Sequence, residues 1–300
     1  MKQFFIGFIF INALALWMMA VPISSFGSSF GYEEIAVVNG ATLTGTVTLK
    51  GAIPAPAVFL VKRAPFSKYC EKISDGQGNI ILQEYNIGET NGMQDTIIAV
   101  QQVSAGKRFE PIRADFFATD CMFHPANVPH HEMHETTKEG KVGHIHPLVT
   151  VFQDRQPVSV INKDPILHNG QVFQQDTGRI LLNFPIPVSD RPMGGPVRFA
   201  RGKKLVQIIC GMHEYMQAYG MVVDNPYYAI TKRDGRFVID RLPAGSYQVM
   251  AWHPHFKPIV KAVTVSSEQL VMLDFEFESE GVRPRIFESA DGLHSDNFKK

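Results

Sequence analysis

The chain has 300 residues, with 29 Lys and Arg balancing 29 Asp and Glu, so its formal net charge at pH 7 is zero. This balance argues against nucleic acid as a partner, because nucleic-acid-binding domains carry a basic surplus. Hydrophobic residues make up 45% of the chain, and the length suits one enlarged domain and one small one.

The first 25 residues have the layout of a secretory signal peptide. An apolar stretch runs from Phe4 to Ala20, and Pro22, Ser24 and Ser25 follow it. No later segment reaches the roughly 20 apolar residues that a membrane-spanning helix needs. We therefore expect a periplasmic or otherwise exported protein, attached to a membrane only where the signal segment stays uncleaved.

Strand patterns dominate the rest of the chain. From Thr42 to Lys50, apolar or small residues alternate with polar ones, and this period of two predicts a half-buried antiparallel strand. Only Pro65 to Ile73 is compatible with a short helix. Short apolar runs, most of them separated by Gly, Pro, Asn or Asp, lie at 96–103, 148–152, 158–161, 171–173, 180–186, 197–199, 205–209 and 221–223. Many short strands at close spacing predict an all-β sandwich or barrel.

A second β unit is predicted after Asn225-Pro226. The Asp234-Gly235 turn leads into an alternating strand, and the Pro243 to Gly245 turn leads into another. Strands at 260–265 and 270–277 would complete a small sandwich, with Trp252 inside it or at the domain interface. The predicted organisation is a large domain over 35–224, a small one over 225–280 and a tail over 281–300.

The chain has three cysteines, Cys70, Cys121 and Cys210. An odd number in an oxidising compartment is consistent with one metal ligand and one disulfide, and we expect Cys70 and Cys121 to pair. The alternative is two free buried thiols. Closing a loop of about 50 residues would stabilise the fold by roughly 4 kcal/mol on the chain-entropy model.

The strand-like run from Lys203 to Ile209 ends in a C-x-x-H-x-x-M motif formed by Cys210, His213 and Met216. A thiolate and an imidazole suit copper in both oxidation states, and a weak axial thioether completes a trigonal His₂Cys site. The second histidine is expected to be His168, which closely follows the run at 158–161. The motif thus predicts one type 1 copper; ordinary core packing of these side chains is the alternative.

These residues resemble the cupredoxins. The His168-Asn169 pair and the loop from Cys210 to Met216 are similar to a plastocyanin-like domain whose ligand loop is as short as that of amicyanin. The resemblance implies a cupredoxin-like Greek-key β-sandwich. It also implies that Asn169 hydrogen-bonds across to the cysteine-containing segment and so orients the ligands.

The segment Asp234 to Tyr247 resembles the carboxypeptidase regulatory-like module, a transthyretin-like β-sandwich. The order of the two units is similar to exported bacterial proteins labelled methylamine-utilisation proteins. This resemblance implies that the second unit is a non-catalytic binding or folding module.

A histidine-rich insertion at 124–146 departs from the shorter loop of the family. Imidazole is the commonest metal ligand, so one interpretation is a second copper or zinc site, and the other is a solvated loop with adventitious affinity. The six histidines are His124, His130, His131, His134, His144 and His146.

Together, the donor set and the resemblance predict an exported single-electron carrier that is not an enzyme. The sequence has no Ser-His-Asp order, recognisable carboxylate pair or phosphate loop. A c-type cytochrome or a periplasmic oxidoreductase would be its redox partner. It would dock at an apolar surface formed by Met212 and Tyr215, together with Met193 to Pro196; ordinary loop packing of these residues is the alternative. Two alternatives remain: a copper carrier or sensor that uses the histidine-rich insertion, and a structural module of an envelope complex.

Overall fold

A computed structural model describes residues 31–127 and 148–279, together with the backbone of 134–136 and 142–145. The predicted signal peptide at 1–25 and the tail at 281–300 lie outside the described residues. Within the described part, none of the helices is long and apolar enough to cross a membrane.

The described chain is built almost entirely of β-strands, which confirms the predicted all-β class. The short helix expected within 65–73 is present as α1 (Ser67–Cys70), flanked by 3₁₀ turns at Val61–Arg63 and Glu71–Ile73. The strands are β1 (Glu33–Glu34), β2 (Ala41–Lys50), β3 (Ala57–Leu60), β4 (Asn79–Leu82), β5 (Ile97–Gln101), β6 (Ala105–Gly106), β7 (Ala114–Thr119), β8 (Met122–Pro125), β9 (His134–Thr136), β10 (Val142–Ile145), β11 (Val149–Phe152), β12 (Pro157–Asn162), β13 (His168–Gln174), β14 (Arg179–Ile186), β15 (Ser189–Pro196), β16 (Leu205–Cys210), β17 (His213–Val222), β18 (Tyr228–Ile230), β19 (Arg236–Leu242), β20 (Gly245–Trp252), β21 (Ile259–Val265), β22 (Leu270–Met272) and β23 (Phe275–Glu278).

The first sandwich consists of a five-stranded sheet in the order β11-β17-β16-β13-β14 and a four-stranded sheet in the order β15-β12-β7-β8. The two sheets pack face to face, because Val172 and Ile208 of the former share one buried core with Phe116 and Val160 of the latter. A flanking sheet, β3-β4-β10-β9, adds Leu82 to this core. The side chains of β7 alternate between buried and half-buried, as expected of a strand with one face in a core.

The second sandwich pairs β18-β5-β20-β21 with a sheet in which β2 lies beside β19, β22 and β23. Its core includes Leu43 and Phe237 from one sheet and Val100 and Val249 from the other. Strand β2 shows the alternating burial predicted for 42–50.

By strand pairing, residues 41–50 and 97–101 belong to the second sandwich, whereas the predicted division at residue 225 had assigned them to the first. The predicted boundaries therefore differ from the observed pairing. The physical reason is that alternation identifies the buried face of a strand but not the distant strand beside which it lies.

A third buried cluster joins the two sandwiches. It contains Ile97 and Trp252 from the second sandwich and Val149, Tyr219 and Met221 from the first. Trp252 is fully buried in this cluster, so of its two predicted places, inside the small sandwich or at the domain interface, the structure shows the second.

Candidate metal centre

Three strands of the five-stranded sheet bring a cysteine and two histidines together at one end of the first sandwich. Gly170 of β13 is opposite Cys210 of β16, so His168 lies two residues before that pair, at the start of β13. A two-residue turn follows Cys210 and returns the chain to His213, which begins β17 and is opposite Cys210. The alternating burial of β13 turns His168 into the core.

Gly211 allows this turn to lie close to β13. A Cβ at this position would be 2.5 Å from Asn169 Oδ1 and 2.7 Å from Gln171 Nε2. A larger residue would therefore require the ends of the Asn169 and Gln171 side chains to move.

Asn169 contacts the cysteine-containing segment through its backbone. Its carbonyl accepts a hydrogen bond from Gly211 N–H at 2.9 Å, and its N–H donates to Cys210 Sγ at 3.5 Å. Its side-chain amide donates instead to Asn183 Oδ1 at 2.9 Å and to the Phe184 carbonyl. The cross-connection implied by the resemblance is present, but the side chain of Asn169 does not make it.

The three predicted ligands converge on one point. His168 Nδ1 and His213 Nδ1 are 3.2 Å apart, and Cys210 Sγ lies 3.8 Å from the first and 3.5 Å from the second. Among the described residues, this is the only group of three His, Cys, Asp or Glu side chains close enough to share a metal ion. Metal–N bonds of about 2.0 Å and metal–S bonds of about 2.3 Å in a trigonal plane would separate the donor atoms by about 3.5 and 3.7 Å, so the spacing fits.

Hydrogen bonds on the far side of each ring decide where its proton lies. His213 Nε2 is 2.8 Å from the Pro65 carbonyl, which can only accept, so this nitrogen donates. His168 Nε2 is 2.9 Å from Asp164 Oδ2 and donates to the carboxylate in the same way. In the neutral rings both Nδ1 atoms then carry lone pairs that face each other and the sulfur, and only a proton or a cation can satisfy that arrangement.

Asp164 contacts the candidate site through His168, and the sequence analysis missed it. Its carboxylate is buried and accepts hydrogen bonds from the backbone N–H groups of Asp120 at 2.7 Å and Cys121 at 2.9 Å, and from Tyr69 Oη at 2.8 Å. Burial would raise the pKa of Asp164, but its hydrogen bonds with His168, the Cys121 N–H and Tyr69 hold it below its usual value. The only sequence signal was its spacing of four residues from His168.

The same environment favours the metal-binding form of the cysteine. Burial would raise the pKa of Cys210, but hydrogen bonds with His168 and His213 outweigh it and lower the pKa to about 6. Burial would lower the pKa of His168, but its bonds with Asp164 and Cys210 raise the pKa to about 8. The surroundings of Cys210 therefore favour its thiolate form, which is the form that binds metals.

Met216 is fully buried in the same core cluster as Cys210, three residues along β17 from His213. It remains the predicted axial ligand. Tyr215 is only 2% exposed, so the expectation that it belongs to an apolar docking surface is wrong. Met212 is half-buried against the same core.

Residues 61–73, which we call the cover segment, lie over the outer edge of the site. The predicted disulfide is present and joins Cys70 in this segment to Cys121, with the sulfur atoms 2.12 Å apart. Cys70 Sγ lies 3.8 Å from His213 Nε2, and Pro65 supplies the carbonyl that this nitrogen binds. As a result His213 has no exposed surface.

The histidine-rich insertion is only partly described. His124 is a buried residue of β8 whose ring stacks on Phe117 at 6.3 Å, and it is therefore part of the sandwich rather than of a solvated loop. Strands β9 and β10 pair with each other, and β10 pairs with β4, so His134 and His144 lie on strands. His130, His131 and His146 lie outside the described residues, and a second metal site stays a prediction.

Comparisons with known proteins give limited information. No family model and no curated protein matches the chain. Among solved structures, it is similar to a purple cupredoxin from Nitrosopumilus maritimus (17% identity, 37% of this chain and 99% of that one, TM-score 0.23) and to a reduced Cu(I) form of an amicyanin variant (11%, 42% and 98%, 0.23). It is also similar to a Cu-containing nitrite reductase from Thermus scotoductus (16%, 42% and 26%, 0.24). TM-scores this low carry no argument, so the assignment depends on the site itself.

Proposed function

We propose that this protein is an exported type 1 copper protein that carries single electrons and catalyses no reaction of its own. His168, Cys210 and His213 would hold the ion, with Met216 as the axial ligand. The observation that carries the proposal is that two imidazole Nδ1 atoms and the Cys210 sulfur lie within 3.8 Å of one another at one buried point. When bound there, copper supplies a one-electron couple.

The protein contributes rigidity to this chemistry. His168, Cys210 and His213 lie at the ends of three neighbouring hydrogen-bonded strands. Asp164 and the Pro65 carbonyl hold the two imidazole rings from behind. Such a frame keeps the donor positions constant while the charge of the site changes, which is what rapid electron transfer requires.

Burial of the three donors favours a carrier over an enzyme. His168 and His213 are fully buried and Cys210 is 2% exposed, whereas a catalytic metal site keeps an open position for substrate or water. Export is supported by the disulfide, because such bonds persist in oxidising compartments. The expected partner is a c-type cytochrome or a periplasmic oxidoreductase.

The visible spectrum of the copper-loaded protein tests this proposal. We expect an intense thiolate-to-copper band that Cys210→Ser abolishes and that the control Met272→Leu, at an exposed position in the second sandwich, leaves unchanged. Reductive titration should consume one electron per chain. A protein that binds no copper, or a band that survives Cys210→Ser, would contradict the proposal.

The rate at which copper is released to a chelator distinguishes an electron carrier from a copper carrier or sensor. The cover segment and its disulfide close the outer edge of the site, so we expect one tightly held copper that a mild chelator removes slowly. More than one copper per chain, released quickly, would favour the copper carrier or sensor. A stable envelope complex isolated without metal would favour the structural module.

A further inference from the structure

An electron has no direct exit through the edge of His213. This residue is fully buried, its Nε2 donates to the Pro65 carbonyl at 2.8 Å, and Cys70 Sγ lies 3.8 Å from the same nitrogen. A partner docked on the surface cannot touch the imidazole. A hydrogen bond connects the ring directly to Pro65, which is itself exposed.

The cover segment is held firmly against the first sandwich. Cys70 is joined to Cys121, Tyr69 donates to Asp164 at 2.8 Å, and Lys72 Nζ lies 2.5 Å from an Asp120 carboxylate oxygen. The apolar side chains at both ends of the segment, Val61 and Ile73, are buried in the core. The segment is thus a fixed part of the surface above the site.

The exposed face of this segment combines an apolar centre with basic surroundings. Phe66 follows Pro65 and is 47% exposed. Lys62, Arg63 and Lys68 are exposed near it in the chain, and the structure gives them no ion pair within its described residues, whereas Glu71 is the only acid of the segment. In a chain with zero net charge, this is a local basic patch that would attract an acidic surface.

We propose that the exposed face of the cover segment is the docking surface for an acidic one-electron redox protein, and that the Pro65 carbonyl is the point of electron exit. The proposal rests on the proposed electron-carrier function. His168, Cys210 and His213 would hold the copper, whose one-electron couple would supply or accept the electron. In each encounter His213 and its hydrogen bond to Pro65 would connect that site with the partner's centre, which would change by one electron in the opposite sense, with no proton or covalent bond exchanged.

Stopped-flow oxidation of the reduced, copper-loaded protein tests the charge of the surface. The probes are anionic hexacyanoferrate(III) and cationic tris(phenanthroline)cobalt(III). In the triple variant Lys62→Glu, Arg63→Glu, Lys68→Glu, oxidation by the anion should be about tenfold slower at low ionic strength. Oxidation by the cation should be about tenfold faster. Both effects should shrink at 0.1 M salt, where the screening length falls to about 10 Å.

A matched control carries the same charge change at the other end of the sheet. The control replaces three exposed residues that precede β16, with the substitutions Arg198→Glu, Arg201→Glu and Lys203→Glu. The six residues of β16 place this segment about 20 Å from Cys210. The control's effects on both rates should be at least threefold smaller than those of the cover-segment variant at low ionic strength, and should disappear at 0.1 M salt, where about 20 Å exceeds the screening length. Equal effects of the two triple variants, or no effect of either, would overturn the proposal.

Protein probes test the apolar centre. An acidic c-type cytochrome should exchange electrons faster than a basic one, and Phe66→Ser should slow the acidic cytochrome about tenfold while leaving the hexacyanoferrate(III) rate within twofold. A Phe66→Ser variant that reacts normally with the acidic cytochrome would overturn the proposal. A second result would also overturn it: the wild type binds anionic lipid vesicles, the cover-segment triple variant does not, and the triple variant is oxidised by both small probes at wild-type rates.

The thiolate-to-copper band distinguishes a failure of the electron-carrier function from a failure of the docking surface alone. If the wild type shows no band, the electron-carrier function itself fails. If every variant keeps the band and the cover-segment variants behave like the control, the carrier function stands and the docking surface is wrong.

Discussion

Replacing Asp164 by Asn should raise the reduction potential of the proposed copper site. The carboxylate is buried and lies 2.9 Å from His168 Nε2, so it favours the more positively charged, oxidised state. Removing its charge while keeping its shape destabilises that state relative to the reduced one. The potential should therefore move upward.

The size of the effect follows from the geometry. The width of the ring, a metal–nitrogen bond and the observed 2.9 Å contact together place the carboxylate about 7 Å from the ion. At an effective dielectric constant of about 20, one unit charge at that distance contributes about 2.4 kcal/mol. With about 1.4 kcal/mol per 59 mV for one electron, the expected rise is about 100 mV.

A redox titration followed at the thiolate-to-copper band measures this shift. Asp190→Asn is the matched control, because its carboxylate is exposed and pairs with Lys163; its shift should be about tenfold smaller, since solvent and salt screen surface charges. Tyr69→Phe removes a donor to Asp164 and should move the potential in the opposite direction, downward. An unchanged or lowered potential in copper-loaded Asp164→Asn would refute the reasoning.

Three further predictions follow from the contacts of single residues. Asn169→Ala should change the potential by less than about 20 mV, because the contacts to the cysteine-containing segment come from its backbone; loss of copper would contradict this. Cys70→Ser combined with Cys121→Ser should release copper to a chelator at least tenfold faster and lower the free energy of unfolding by roughly 4 kcal/mol; an unchanged release rate would show that the cover segment does not close the site. Burial lowers the pKa of His253 from 6.5 to about 3, so its neutral form stabilises the fold above pH 6.5 and this contribution falls as the pH drops toward 3. Between pH 7.5 and 5.0, urea unfolding of the wild type should lose about 2 kcal/mol more than His253→Gln, and parallel pH profiles would rule this out.

Much of the candidate site was predictable because its determinants are local. Cys210 and His213 are brought together by a two-residue turn, and Gly211 in that turn allows the close approach of β13. Strand alternation then turns His168 toward the same core. The donor chemistry of these residue types limits the metals that they can hold.

The contacts that complete the site depend on distant pairing. Pro65 lies 148 positions from His213, and Tyr69 lies 95 positions from Asp164. No periodicity or motif encodes such a meeting, because it depends on how the cover segment packs after the sheets have formed. The same reason explains why β2 and β5 were assigned to the wrong side of residue 225.

By itself, then, the sequence determined the all-β class, the convergence of His168, Cys210 and His213, and the disulfide that leaves Cys210 as the free cysteine. The tertiary structure alone decided that the site is covered, that a buried carboxylate supports His168, and that the N-terminal strand β2 completes the second sandwich. These two sets of features differ in how far apart in the sequence their interacting residues lie. Turns and strand faces follow from neighbouring residues, whereas burial and long-range hydrogen bonds follow from the packing of the whole chain.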